Sequence, residues 1–397
     1  MNILQLCHRV PFPANDGGNI AMISLADSLI SGGANLKMLT LNTKKHQVVM
    51  EDLPENVRTK YHIESVFIDT SVSGWKAFLN LFSSESYNVQ RFYSAEFEKK
   101  LSGVLRSQPY KVVLLESLFM MPYLPAIRKN SDAKIILRAH NVEHLIWQRL
   151  ATNEKNVLKR IYLSLLALRL RRYELLSLGN VDAILPVTNE DEKIFRSMGI
   201  RVPMRVTPVG IDTGNYAGPV DRNPALSLFH LGAMDWRPNL EGVEWFLDHC
   251  WNLIHEKFPA LKLFLAGRGF PAHLMMRKDA TLLCEGEITD AREFMSGKQI
   301  MIVPLKSGSG MRVKIIQGMA MGKTIISTTI GAEGIGYTDG KNILIADTPG
   351  EMLMQVEKCL GDKEFCFRIG SEAQTFVFEN FSNERIGKSV LEFFRNI

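Results

Sequence analysis

An α/β fold of two βα-alternating domains is what this sequence predicts, and three observations predict it. Short apolar runs that suit strands covered on both faces recur along the chain, separated by helical periodicity. Several of these runs end in a glycine-rich turn that opens a helix, the arrangement of a βαβ unit. The pattern starts afresh after a proline- and glycine-rich segment in the middle, and 397 residues exceed what one ordinary core organises.

In the first half, Asn2–Leu6 reads as a strand, and the prolines and Gly17-Gly18 that follow exclude regular structure, so 8–18 is expected to be a loop. Ile20, Ile23, Leu25, Leu29 and Ile30 carry helical spacing up to Gly32-Gly33, and Leu36–Leu41 is the next strand. Further strands are predicted at His62–Ile68, Lys111–Leu115 and Lys134–Leu137. The last two run into Glu116 and into Arg138-Ala-His140-Asn-Val-Glu143. Polar groups at the carboxyl ends of apolar strands are where open α/β sheets bind ligands. Against that reading, His140 could equally cap or lie on the surface, and Glu116 and Glu143 could be solvated or cap a helix. Asn156–Leu170 is the most apolar helical run. Its stripe Val157, Ile161, Leu165, Leu168 is read as core-facing, with membrane-surface contact as the alternative. Ala183–Val187 is a strand, and Thr188 with Asp191 opens a helix.

The segment Pro203–Asn223 is expected to be the interdomain linker, giving domains 1–205 and 206–380. Beyond it, strands are predicted at Ser227–Leu231, Leu261–Ala266, Thr281–Leu283, Met301–Pro304, Thr324–Thr328 and Ile343–Ala346. Helices are predicted at Leu240–His255, Ala291–Ser296, Gly350–Leu360 and Asp362–Asn380, and Ser382 can cap a final one. The most informative stretch is 302–335. A buried strand meets Gly308-Ser309-Gly310, then a helix start carrying Arg312 and Lys314, then a stop at Gly322. Free N–H groups at the helix start, the positive end of its dipole and two cations suit a diphosphate. A plain structural turn with solvated cations is the competing reading, and the spacing is not that of a Walker A loop. The facing edges of two such halves would form a deep cleft between the domains.

Composition narrows the classes. The chain is 46% hydrophobic and 22% charged, which excludes a disordered or membrane-embedded body. A net charge of +5 is too mild to require nucleic acid, but suits an anionic small ligand or loose contact with an anionic membrane surface. Five scattered cysteines without a CxxC pair point to a reducing cytosolic compartment and no zinc site. The N-terminus enters a strand directly, so no signal peptide is expected, and no stretch has the length of a span.

Across essentially its whole length the chain resembles the retaining, nucleotide-sugar-dependent glycosyltransferases of the GT-B fold, in the large group-1 class. The motifs that carry the resemblance are Pro11-x-Pro-x-x-x-Gly17-Gly18, His140-Asn-Val-Glu143, Pro208-Val-Gly-Ile-Asp212, Gly232-x-Met-Asp-Trp-x-Pro-Asn239 and Gly308-Ser-Gly-x-Arg-x-Lys-Ile-x-Gln-x-Met-Ala-x-Gly322. The resemblance implies two Rossmann-like domains facing across a cleft. The N-terminal one would take the acceptor, with the final helix, 381–397, packing back on it, and the C-terminal one would take the donor. It implies transfer of a hexose from a nucleotide diphosphate sugar to a glycolipid or oligosaccharide hydroxyl, with retention, in capsule, O-antigen or lipopolysaccharide synthesis. No metal or other cofactor is implied.

Carried over residue by residue, Gly17 and Gly18 approach the donor phosphates and the acceptor, and His140 lies near the transferred sugar. Arg312 and Lys314 sit in the donor-phosphate turn with Gly308, Ser309 and Gly310, and Arg237 lies near a diphosphate-binding position. The sequence departs from the family at Ser309 and Gln317, where two glutamates are common; neither can act as a carboxylate, although glutamine can still accept from a ribose hydroxyl. A glutamate nucleophile there is therefore excluded, and the donor's own phosphate would serve as base. A non-catalytic nucleotide-sugar-binding component and a nucleotide-sugar epimerase are the competing functions. The implied location is cytoplasmic, with peripheral contact at the inner membrane face allowed by the basic excess.

Overall fold

Each apolar run that reads as a strand becomes one. The computed structural model describes residues 1–14, 16–71, 87–154, 156–216, 226–276, 280–308 and 310–397. Twelve strands, β1 to β12, form two six-stranded sheets among them. By its internal contacts the chain divides into Met1–Gly210 with Asn383–Ile397, and Ile211–Ser382. It therefore passes between units at Gly210–Ile211 and Ser382–Asn383, a few residues beyond the boundaries expected from sequence. Residues 217–223 of the expected linker lie outside the described residues.

In the first unit the strands are β1 (Asn2–Cys7), β2 (Asn35–Thr43), β3 (Glu64–Ile68), β4 (Val112–Glu116), β5 (Lys134–Ala139) and β6 (Ala183–Pro186). They lie in the order β3-β2-β1-β4-β5-β6, all parallel. Residues alternate between two cores: Leu4, Leu6, Val113 and Leu115 enter one, Ile3, Cys7, Leu114 and Ile136 the other. The strand order reverses between β1 and β4, which is where a doubly wound sheet opens at its carboxyl end.

Three helices of this unit matter below: α1 (Gly17–Ser31), α2 (Glu143–Asn153) and α3 (Val157–Leu178). The first corrects the sequence reading. Gly17 and Gly18 are not in a loop but in the opening turn of α1, because Asp16 caps it by accepting from Asn19 N at 2.9 Å. The last helix, Asn383–Arg395, returns to pack on α1. Gly387 makes that possible: a Cβ there would stand 1.8 Å from Ser28 O, so the two backbones touch. Ser24 Oγ lies 2.8 Å from Gly210 O and 3.2 Å from Asn383 Oδ1, tying both chain crossings to α1.

The second unit repeats the plan with β7 (Leu228–Leu231), β8 (Leu263–Ala266), β9 (Leu282–Gly286), β10 (Ile300–Val303), β11 (Thr324–Ser327) and β12 (Leu344–Ile345). Their order is β12-β11-β10-β7-β8-β9, again parallel, with the switch between β7 and β10. Two helices open at that switch point: α4 (Arg237–Phe246) after β7, and α5 (Val313–Ala320) after β10. The helix predicted over 240–255 forms: α4 runs on without a gap through a π turn at Leu247–Trp251 into Asn252–Lys257.

The sequence reading of α3 is corrected too. The stripe Val157, Ile161, Leu165, Leu168 does not enter the core; Val157, Ile161 and Leu168 are all more than half exposed. The buried line is Leu166, Leu170, Glu174 and Leu178, one residue every four. An apolar helix offers two plausible faces, and packing against α2 selects between them.

Candidate functional site

Each switch point gathers polar side chains. In the first unit the centre is Glu116, the last residue of β4, whose side chain is fully buried. Its Oε1 accepts from Gln5 Nε2 at 2.7 Å and its Oε2 from His140 Nε2 at 2.7 Å. Arg138, also fully buried, brings its Nε to 3.8 Å from Oε2. No guanidinium nitrogen of Arg138 has a hydrogen-bond partner among the described residues, so Glu116 is its electrostatic counterpart. Burial lowers the Arg138 pKa and Glu116 opposes that shift.

Because a carboxylate only accepts, His140 carries its proton on Nε2 and, when neutral, presents Nδ1 as an acceptor. His140 keeps 12% of its side chain exposed, enough to meet a ligand hydroxyl. His8 stands beside it, ring centroids 6.5 Å apart, and donates Nδ1–H to Glu116 O at 2.9 Å. Burial first, then Arg9 and His140, lower the His8 pKa to about 3, so this ring is neutral. Ser117, which follows Glu116, holds φ at 96°, a strained value for a non-glycine residue at the mouth of the sheet. Gly17 and Gly18 begin α1 nearby in sequence, with Arg9 bonded to Asp16 at 2.7 Å.

A second polar cluster lies behind His140. Glu174 of α3 accepts from the backbone N–H of Glu143 at 3.1 Å and bonds His144 Nδ1 at 2.6 Å, capping α2 from outside. Burial, then the Glu174 charge, push the Glu143 pKa up to about 8, so its carboxyl is largely protonated at neutral pH. The unfolded chain would titrate this group near 4.3, so the folded state binds the extra proton between about pH 4 and 8. Its contribution to stability is therefore present at low pH and lost as pH rises toward 8. Glu143→Gln is expected to remove that slope, gaining on the order of 3 kcal/mol over wild type between pH 5 and 8. Parallel denaturation profiles across that range would contradict it.

In the second unit the centre is Lys314, in the first turn of α5. Its Nζ donates to Asn239 Oδ1 at 2.8 Å and lies 3.4 Å from His230 Nε2. His230, on β7, gives its Nδ1–H to Ile302 O at 2.8 Å, leaving Nε2 as the acceptor facing Lys314. Burial and the Lys314 charge hold His230 neutral, far below the usual histidine pKa. Burial, then Arg312, lower the Lys314 pKa to about 7. Arg312 caps α5, lies 5.2 Å over the Trp236 ring and bonds Gly310 O. Gly308 is required where it stands: at φ 108°, a Cβ would come within 2.9 Å of Arg312 Nη2 and 3.1 Å of Trp236.

Of the residues named from sequence, Gly308, Gly310, Arg312 and Lys314 stand together at the head of α5. Gln317, one turn on, hydrogen-bonds the Tyr216 hydroxyl. Arg237 Nε binds Glu241 at 2.5 Å one turn along α4, with most of its side chain in solvent, and Glu241 Oε2 accepts from Ser307 Oγ at 3.1 Å. Ser309 lies outside the described residues. Asn239, His230, Gln5 and His8 went unassigned in the sequence reading. Asn239 closes the motif at Gly232–Asn239, a cue that could have found it; the other three carried no signal at all.

Three comparisons bear on this geometry. Residues 225–362, most of the second unit, match the family model described as glycosyl transferases group 1. A Klebsiella pneumoniae protein described as an uncharacterized 44.6 kDa protein in the cps region is 25% identical over 96% of this chain and 97% of its own length. The fold matches sucrose-phosphate synthase of Thermosynechococcus elongatus with a TM-score of 0.69 at 15% identity, covering 100% of this chain and 99% of that one. It also matches Anabaena HepE in complex with UDP, with a TM-score of 0.69 at 13% identity over all of both chains. The two Rossmann-like units are thus those of the GT-B architecture.

Proposed function

We propose that the protein is a glycosyltransferase that moves a hexose from a nucleotide diphosphate sugar to a hydroxyl of a glycolipid or oligosaccharide, with retention of configuration. The observation that carries this reading is the seat at the start of α5. Lys314, Arg312 and the N-terminal end of α5 lie together there at the carboxyl end of β10, in the segment that matches the group 1 family model. Solved structures of this fold hold UDP and UDP-glucose, which favours a nucleotide sugar as the ligand. The cps-region relative favours a role in building a capsule or related surface polysaccharide.

The chemical difficulty is parting a diphosphate from an anomeric carbon with oxocarbenium character. Cations set at the leaving oxygens stabilise charge that grows in the transition state, and in a poorly hydrated site they act strongly. Lys314 and Arg312 take that role, so a metal ion is not needed for charge neutralisation. Gln317, held by Tyr216, handles the donor as a neutral side chain, and no carboxylate at that position attacks the sugar. In the first unit, Glu116 fixes the His140 ring so that Nδ1 accepts a hydrogen bond from a sugar hydroxyl.

Purified protein is expected to melt at higher temperature with one class of nucleoside diphosphate, because a ligand of the folded state alone stabilises it. With the matching nucleotide sugar and a hydroxyl acceptor it is expected to release free nucleoside diphosphate. Binding without release would make the chain a non-catalytic binder, and acceptor-independent change of the sugar would make it an epimerase.

A further inference from the structure

We infer that the outward face of α3 docks the protein on an anionic lipid surface. The inference is independent of glycosyl transfer and rests on the first unit alone. Val157, Leu158, Ile161, Leu168, Leu175 and Leu176 are all at least 38% exposed, and Leu158 reaches 80%. At 3.6 residues per turn they occupy one side of the helix, opposite the buried line Leu166, Leu170, Glu174, Leu178. From Val157 to Leu176 the strip runs for about 30 Å along the helix. Exposed apolar side chains scattered singly need no explanation, but six on one face of one helix form a patch.

Charge decides the occupant. Arg171 and Arg160 border one edge of the strip, Arg169 the other, and Arg172 sits within it. The only carboxylate in the helix, Glu174, is buried under α2, so no acidic side chain of α3 faces outward. A second protein copy would meet its own arginines across such a face. An anionic bilayer surface instead takes leucines below the headgroups while arginine stems reach the phosphates. The mode is contact and not insertion, because no helix among the described residues is long and apolar enough to cross a membrane.

The test is sedimentation of the full chain with vesicles of equal parts phosphatidylglycerol and phosphatidylcholine, against pure phosphatidylcholine. Partitioning is expected to be at least tenfold stronger on the anionic vesicles and to fall in 1 M salt. Leu158→Asp with Ile161→Asp and Leu168→Asp is expected to abolish it, and Arg171→Glu with Arg172→Glu to weaken it at least tenfold. Both variants should keep the wild-type melting temperature and nucleotide response, since these side chains face solvent. No sedimentation of wild type, binding unchanged by either variant, or a lipid-free dimer dispersed by the aspartates would each overturn the inference.

Discussion

Lys314→Ala is expected to lower turnover of the nucleotide sugar by about 100- to 1,000-fold with the fold intact, the range seen when one preorganised charge stabiliser is removed. The loss should fall mainly on kcat, because leaving-group charge is larger in the transition state than in the bound donor. Equal turnover by wild type and variant would remove the diphosphate from the head of α5. The lysine also carries a pH signature. Its pKa is about 7 in the folded chain, against about 10.4 unfolded. The unfolded state therefore binds the extra proton between those values, and stability of the unliganded protein rises with pH across that window. Lys314→Met should flatten the rise. A bound diphosphate favours the charged amine, so binding near pH 8 is expected to take up a proton, read as a buffer-dependent enthalpy by calorimetry.

Glu116→Ala is expected to destabilise the first unit by about 3–5 kcal/mol, the cost of leaving a buried charge without its partner. Arg138 and His140 Nε2 lose their counterpart at once, and Gln5 Nε2 is left with Met22 O alone. A shift of the denaturation midpoint below 1 kcal/mol would show that water reaches Arg138. The double variant Glu116→Gln with Arg138→Met separates structure from chemistry. It removes the charge imbalance and should regain most of the stability, as apolar replacement of buried ion pairs often does. His140 would then lose its carboxylate anchor, so activity should stay low although the protein is stable.

The two centres differ in how far they could be read from the chain. The cationic turn at Gly308–Lys314 was legible because its parts are consecutive: strand, glycines, helix start and cations lie within a dozen residues, and helix physics links them. The partners of those residues were not legible. Asn239 and His230 reach Lys314 across 75 and 84 residues, and Gln5 reaches Glu116 across 111. Such pairs follow from strand order, which places the ends of β1, β4 and β5 side by side, and no local pattern encodes strand order. Arg237 has a local partner: at i,i+4 it pairs with Glu241 on its own helix, and Glu241 in turn accepts from Ser307 Oγ.

Sequence by itself determined the elements and the class. Apolar runs, helical spacing and glycine punctuation marked twelve strands and their alternation with helices, because those signals act within a few residues. Only the tertiary structure decided which face of each element is buried and which polar groups meet. It turned the apolar stripe of α3 outward, put Gly17 and Gly18 inside a helix, and made Glu116 the common partner of Gln5, His140 and Arg138. The physical reason is the same in each case. Burial and polar pairing are properties of neighbours in space, and a residue's neighbours in space are chosen by how whole sheets and helices pack.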